Sequence, residues 1–234
     1  MKAIFARELK AYFQTPVGYI FIGMFLIVSG YFFAVANLLP KSSDLGSVFS
    51  NMLMMFLFLV PVLTMRLLSE ERNSRTDQLL LTAPVSVREI VLGKFAAAAA
   101  MYCITVFVTL LYLLVLGIHS QPDYSKIFCN YIGFILMGFS YISIGLFISS
   151  LTQNQASAAI ATFAVLLLLF MLEYARTSIH SAFLIWILDA ISITKWYVEF
   201  ELGVLSIPAI SYYISFTAVF LLFTIHVVDK RRWN

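Results

Sequence analysis

Apolar residues run almost unbroken through six stretches of the chain, at about residues 17–39, 48–68, 95–118, 127–150, 156–174 and 209–228. Each is near or above the ~20 residues that a helix needs to cross a ~30 Å hydrocarbon core. Lipid offers no hydrogen bonds, so backbone at that depth must satisfy itself, which leaves helices or a closed barrel. Barrel strands alternate in polarity over ~10 residues, and these stretches do not. The pattern predicts six transmembrane helices.

Three segments depart from it. Over residues 1–14, Ile4, Phe5, Leu9, Tyr12 and Phe13 fall on one helical face, with Lys2, Arg7 and Lys10 largely elsewhere. This predicts a short amphipathic helix lying on the membrane surface and ending before Pro16. Residues 69–94 form a long charged segment between two apolar stretches, with eight of the chain's Lys, Arg, Asp and Glu. Residues 175–208 are long yet largely apolar, with Trp186, Trp196 and Tyr197 suited to headgroup depth; two short helices dipping into the outer leaflet are expected there. Pro208 suits the first turn of the last helix, where no backbone donor is needed.

Composition agrees with a bilayer. Of 234 residues, 62% are hydrophobic and 12% charged, and the mean hydropathy is +0.94. Soluble domains carry about 25% charged residues. The net charge of +3 is small and gives no reason to expect a nucleic-acid partner. Its distribution is informative. Eleven of the 15 Lys and Arg fall in the N-terminal segment, in the second loop with its flanks, and at the C-terminus; only Lys41, Lys126, Arg176 and Lys195 fall on the other side. The positive-inside rule then places both termini in the cytoplasm, which requires an even number of spans. Cys103 and Cys129 sit early in successive antiparallel spans, too far apart for a disulfide.

Motifs for chemistry are missing. There is no G-x-x-x-x-G-K-[ST] phosphate loop, no H-E-x-x-H, and the stretch from Gly138 to Ile142 fits G-x-S-x-G at three positions and then fails. His119, His180 and His226 are scattered. Residues 70–75 fit the E-E-x-x-x-R of intramembrane CAAX-type proteases, but no F-x-x-x-H follows, so a six-helix membrane enzyme is the weaker alternative, alongside a membrane scaffold without transport. Charged residues inside the spans, which mark ion pathways, are almost absent. No catalytic, cofactor-binding or metal-binding residue is expected. The small pairs Gly145/Ser149 and Ser157/Ala161 let helices approach closely.

Energy must then come from outside, and residues 69–94 are the one sizeable docking surface. Thr76, Asp77 and Gln78 start a helix with a negative charge at its N-terminus. Leu79, Leu80 and Leu81 give it an apolar face, and Pro84 ends it. Ser86 caps the next helix, with Glu89 three residues on in a capping-box pattern, and that helix continues into the third span.

The run TDQLLLTAPVSVREIVLGK (residues 76–94) closely resembles the loop of ABC-2 type transporter permeases, especially the branch of gliding-motility-associated permease subunits. RELKAYFQTPVGYI (7–20), residues 192–203 and KRRW (230–233) resemble the same family, so the likeness covers nearly the whole chain; L-L-L-T-A-P-V-S is its most specific part. The resemblance implies one all-α polytopic membrane domain over residues 1–234, with an N-terminal elbow helix, a cytoplasmic coupling helix and re-entrant helices before helix six. It also implies a non-catalytic permease in the cytoplasmic membrane, paired with a second permease chain and two ATP-binding subunits that hold ATP and Mg²⁺ and drive export. Carried over, the coupling region is residues 70–89: Glu70, Glu71, Thr76–Leu81, Pro84, Val85, Arg88 and Glu89. Arg75 departs from the family, where similar sequences often carry glycine, and leaves the start of the coupling helix open.

Overall fold

The computed structural model of the chain describes residues 1–73, 85–119, 122–176, 188–189 and 192–232. Helix α1 (Lys2–Gln14) ends at Thr15, whose extended backbone turns the chain before Pro16. Pro16 opens α2 (Pro16–Phe33), where its missing N–H costs nothing. The helix continues as a π-helical turn, Ala34–Leu38. Asn37 closes the following loop, donating to the carbonyls of Ser42 (2.9 Å) and Asp44 (3.0 Å).

The second span is not straight. It consists of α3 (Gly46–Met52) and α4 (Phe56–Thr64), bent by 63°. Phe49 and Phe56, one before and one after the bend, both pack on Phe134, with ring centroids 4.6 and 5.1 Å away. Seven residues of straight helix would separate their Cα atoms by about 10 Å. Bending lets both rings share one aromatic partner, and tightened turns such as Met55 N–H to the Met52 carbonyl (2.9 Å) join the pieces.

Helix α5 (Ser69–Asn73) follows. Helix α6 (Val87–Val108) starts at a full capping box: the Glu89 N–H donates to the Ser86 hydroxyl, and the Ser86 N–H donates to the Glu89 carboxylate. Two turns at Thr109 and Leu110 join it to α7 (Leu111–His119). The remaining helices are α8 (Tyr124–Leu151), α9 (Gln155–Arg176), α10 (Tyr197–Glu201) and α11 (Ile207–Arg232). Among the described residues, five segments are long and apolar enough to cross a membrane, and counting the bent pair as one span gives six. The protein is an all-α polytopic membrane protein.

Helix α8 is the centre. Its apolar window is 72% buried inside the chain, against 17–33% for the other four unbent spans, and it packs on α4, α6, α9, α10 and α11. Gly145 lets α4 approach it: a Cβ there would meet Thr64 Oγ1 at 2.2 Å. An aromatic cluster of Phe25, Phe49, Phe56, Tyr102 and Phe134 fills the middle, with tilted and edge-on rings that favour a packed core.

At one end of the bundle, α10 packs against α8 and α3, and Lys126 pairs with Asp44 at 3.1 Å. Trp196 stacks on Tyr212 at 5.5 Å, whereas Tyr197 is turned into the bundle and 1% exposed instead of lying at an interface. Of the two short helices expected over residues 175–208, α10 is described. Trp186 lies outside the described residues.

Candidate coupling site at the charged end of the bundle

The opposite end is built on α1. Its buried side chains, Ile4, Glu8 and Tyr12, are four residues apart and so share one stripe of the helix; Phe13 is exposed. A carboxylate in the middle of a buried stripe needs partners, and α6 supplies one. Lys94, 1% exposed, puts its Nζ 3.0 Å from Glu8 Oε1 and 2.9 Å from Glu71 Oε1. Arg7 closes the group, with Nη2 at 2.6 Å from Glu8 and 2.5 Å from Glu71. Two cations thus face two carboxylates. Burial pushes the Glu8 carboxyl up, but the Lys94 charge and hydrogen bonds from Arg7 and Lys94 outweigh it and hold the group below its ordinary value. Burial likewise pulls the Arg7 guanidinium down, and Glu8 and Glu71 together more than restore it.

The network's sequence positions give it meaning. Glu71 lies in α5, which follows the second span, and Lys94 in the first half of α6, so they bracket residues 74–84. Glu8 and Arg7 belong to α1. One cluster of charges therefore ties α1 to the chain on both sides of residues 74–84.

Further contacts stiffen the same end. The Tyr12 hydroxyl donates to the Leu63 carbonyl at 2.6 Å, and burial drives its phenol well above the ordinary value. The Arg66 guanidinium lies 5.6 Å from the Tyr12 ring centroid, donates to Thr15 Oγ1 and pairs with Glu70 at 3.1 Å. The Ser149 hydroxyl accepts from the N–H groups of Leu68 (3.1 Å) and Ser69 (3.2 Å), satisfying donors at the start of α5. Arg72 donates to the carbonyls of Leu151 (3.2 Å) and Thr152 (3.3 Å), and Arg231 donates to that of Ser150. Both cations thus cover the negative end of the α8 dipole. The starts of α1 and α6 and the ends of α5, α8 and α11 all meet here.

Of the residues singled out in the sequence, Glu71 joins the buried network and Glu70 pairs with Arg66. Arg88 is exposed, Val85 is half-buried, and Glu89 caps α6. Thr76, Asp77, Gln78, Leu79, Leu80, Leu81 and Pro84 lie outside the described residues. The pair Gly145/Ser149 sits where α8 meets α4 and α5. Sequence reasoning missed Arg7, Glu8 and Lys94 as a unit. The signal was present: Glu8 stands on the apolar face between Ile4 and Tyr12. Among the described residues, no three His, Cys, Asp or Glu side chains gather as metal ligands would.

Comparison with known proteins fits this architecture. No curated protein matches the chain closely enough to count as a relative. The sequence model of the ABC-2 family transporter proteins matches residues 37–225, well over half of the chain. The chain belongs to the ABC-2 family of transporter proteins.

Proposed function

We propose that this chain is the membrane-spanning subunit of an ATP-driven exporter, working in the cytoplasmic membrane with a second permease chain and two separate ATP-binding subunits. Both termini and residues 69–94 face the cytoplasm, and ATP and Mg²⁺ sit on the partner subunits. The coupling surface is residues 70–89. Closure of the ATP-binding subunits displaces that segment; α5 and α6 carry the displacement into the second and third spans, and α1 moves with them.

The observation that carries this reading is the placement of Lys94 between Glu8 and Glu71. A docking loop transmits force only if its roots are stiff. Here both roots are clamped to each other and to a surface helix by buried, charge-assisted hydrogen bonds, which are shorter and stronger than neutral ones. Arg88, exposed in the first turn of α6, and Glu70 at the other root are positioned to meet a soluble partner.

The test uses the chain with its ATP-binding subunit in vesicles. Arg88→Glu, an exposed change, is expected to weaken association of the two while leaving the fold intact. Lys94→Met is expected to leave association largely intact and to reduce the dependence of ATP hydrolysis on the permease. Unchanged coupling in both variants would remove residues 70–89 as the coupling surface.

A further inference from the structure

A cleft of about 500 Å³ opens between α6–α7 and the first half of α8. One wall is Val106, Phe107, Leu110 and Leu113, which straddle the tightened turns joining α6 to α7. The other is one face of α8, with Tyr124, Phe128, Ile132 and Ile135 in its row. The two helices diverge where the turns break the regular path of the third span, and among the described residues no side chain fills the gap. Its size falls within the ~300–1,000 Å³ usual for small-molecule pockets.

Three features define what fits. The cleft is dry by construction. Its inner hydroxyl, on Tyr131, is already paired with Thr109 Oγ1 at 3.1 Å, and a trapped water would need two or more polar partners. It opens sideways, between Phe107, Tyr124 and Phe128, which are 62–72% exposed, so it faces the bilayer along its length. Its depth also matches one leaflet. From Tyr124 to Ile135 the α8 face runs eleven residues, or about 17 Å at ~1.5 Å per residue, against a ~15 Å half-thickness of the hydrocarbon core. Tyr124 stands at the mouth, beside the Asp123 N-cap of α8, with its hydroxyl 3.7 Å from where a Cβ on Gly117 would lie. Cys103 marks the deep end.

We propose that this cleft is a binding site for one acyl chain of a membrane lipid, in the leaflet remote from the Lys94 network, with the headgroup at the level of Tyr124. Two concave walls contact the chain on both sides, so it is held longer than lipid on a convex helix face. The site stands on the membrane-spanning architecture alone and is independent of the coupling proposal.

The test reconstitutes the full chain in phosphatidylcholine vesicles containing a small fraction of phosphatidylcholine with a photoactivatable group near the end of one acyl chain. Irradiation is followed by peptide mapping. The exposed face of α9, with Ile160, Leu168 and Met171, is the internal control for ordinary lipid contact. Labelling of residues 103–113 and 124–135 is expected to exceed the control several-fold in the unaltered chain, and to drop to control level in Ile132→Trp, which fills the cleft. Leu113→Phe is the second filler if the tryptophan variant does not elute as a single species. Equal labelling of cleft and control, or excess labelling that survives filling, would overturn the site. So would an unlabelled cleft whose Cys103 cross-links to a second copy, because a protein face would then be the occupant.

Discussion

Replacing Lys94 by methionine keeps an unbranched apolar stem, one atom shorter, and removes the charge. In the native structure Lys94 is 1% exposed and holds Glu8 and Glu71, whose side chains are 10% and 15% exposed. The variant leaves two nearly buried carboxylates with Arg7 as the cation they share, and Arg7 is 52% exposed, so water screens much of its attraction. Breaking a buried ion pair by removing one partner costs about 3–5 kcal/mol; the residual Arg7 contact places the expected loss near the lower figure, about 3 kcal/mol. In a chain of this size each kcal/mol shifts the midpoint by roughly 2–4 °C, so thermal unfolding in mild detergent should show a clear drop. The deficit should also depend on pH. Glu8 titrates below its ordinary value of 4.5 in the native chain, so its contribution is present above that value and is lost as pH falls through the lower folded value. Without Lys94, desolvation governs Glu8 and its carboxyl rises, so it takes a proton more readily. The gap between variant and native chain should therefore narrow from pH 7.5 towards pH 4.5. Lys94→Met with Glu71→Gln should regain part of the loss. A deficit below about 1 kcal/mol, the worth of an exposed pair, or one that does not change with pH, would refute the buried network.

Tyr12→Phe removes the donor to the Leu63 carbonyl and should lower stability by about 1–2 kcal/mol, read as a lower unfolding midpoint; no change would mean that the contact contributes nothing. Gly145→Leu drives a side chain into Thr64, where even a Cβ would lie 2.2 Å from Oγ1, and should cost at least about 1–3 kcal/mol. Loss of monodispersity on size exclusion, partly relieved by Thr64→Ala, is the expected result. Phe134→Ala removes the ring shared by Phe49 and Phe56 and should cost about 3–5 kcal/mol, with increased spin-label mobility at the bend between α3 and α4; unaltered mobility there would refute the shared-ring account of the bend.

The spans were legible because burial in lipid writes itself into long apolar runs, and the start of α6 was legible because Ser86 and Glu89 form a local signal. The bend in the second span was not. It depends on Phe134, nearly eighty residues downstream, and its apolar run gives no sign of the break. The third span likewise hides its turns at Thr109 and Leu110, and with them the cleft. At the charged end, Glu71 reads from sequence as a surface charge in a hydrophilic loop. The structure turns it inward because Lys94, two turns inside an apolar helix, must be neutralised. A carboxylate on the apolar face of α1, read together with a lysine at the root of a span, was the available clue. The hydrogen bonds from Arg72 and Arg231 to the end of α8 depend on tertiary proximity and carry no pattern of their own.

The most direct test of the account is to purify the chain, tagged at its C-terminus, from its native host in mild detergent and identify what accompanies it. The account predicts a stoichiometric ATP-binding subunit that is lost when Leu79, Leu80 and Leu81 are replaced by charged residues and retained in Lys94→Met. A chain that emerges without any ATP-binding protein under every gentle condition would contradict it.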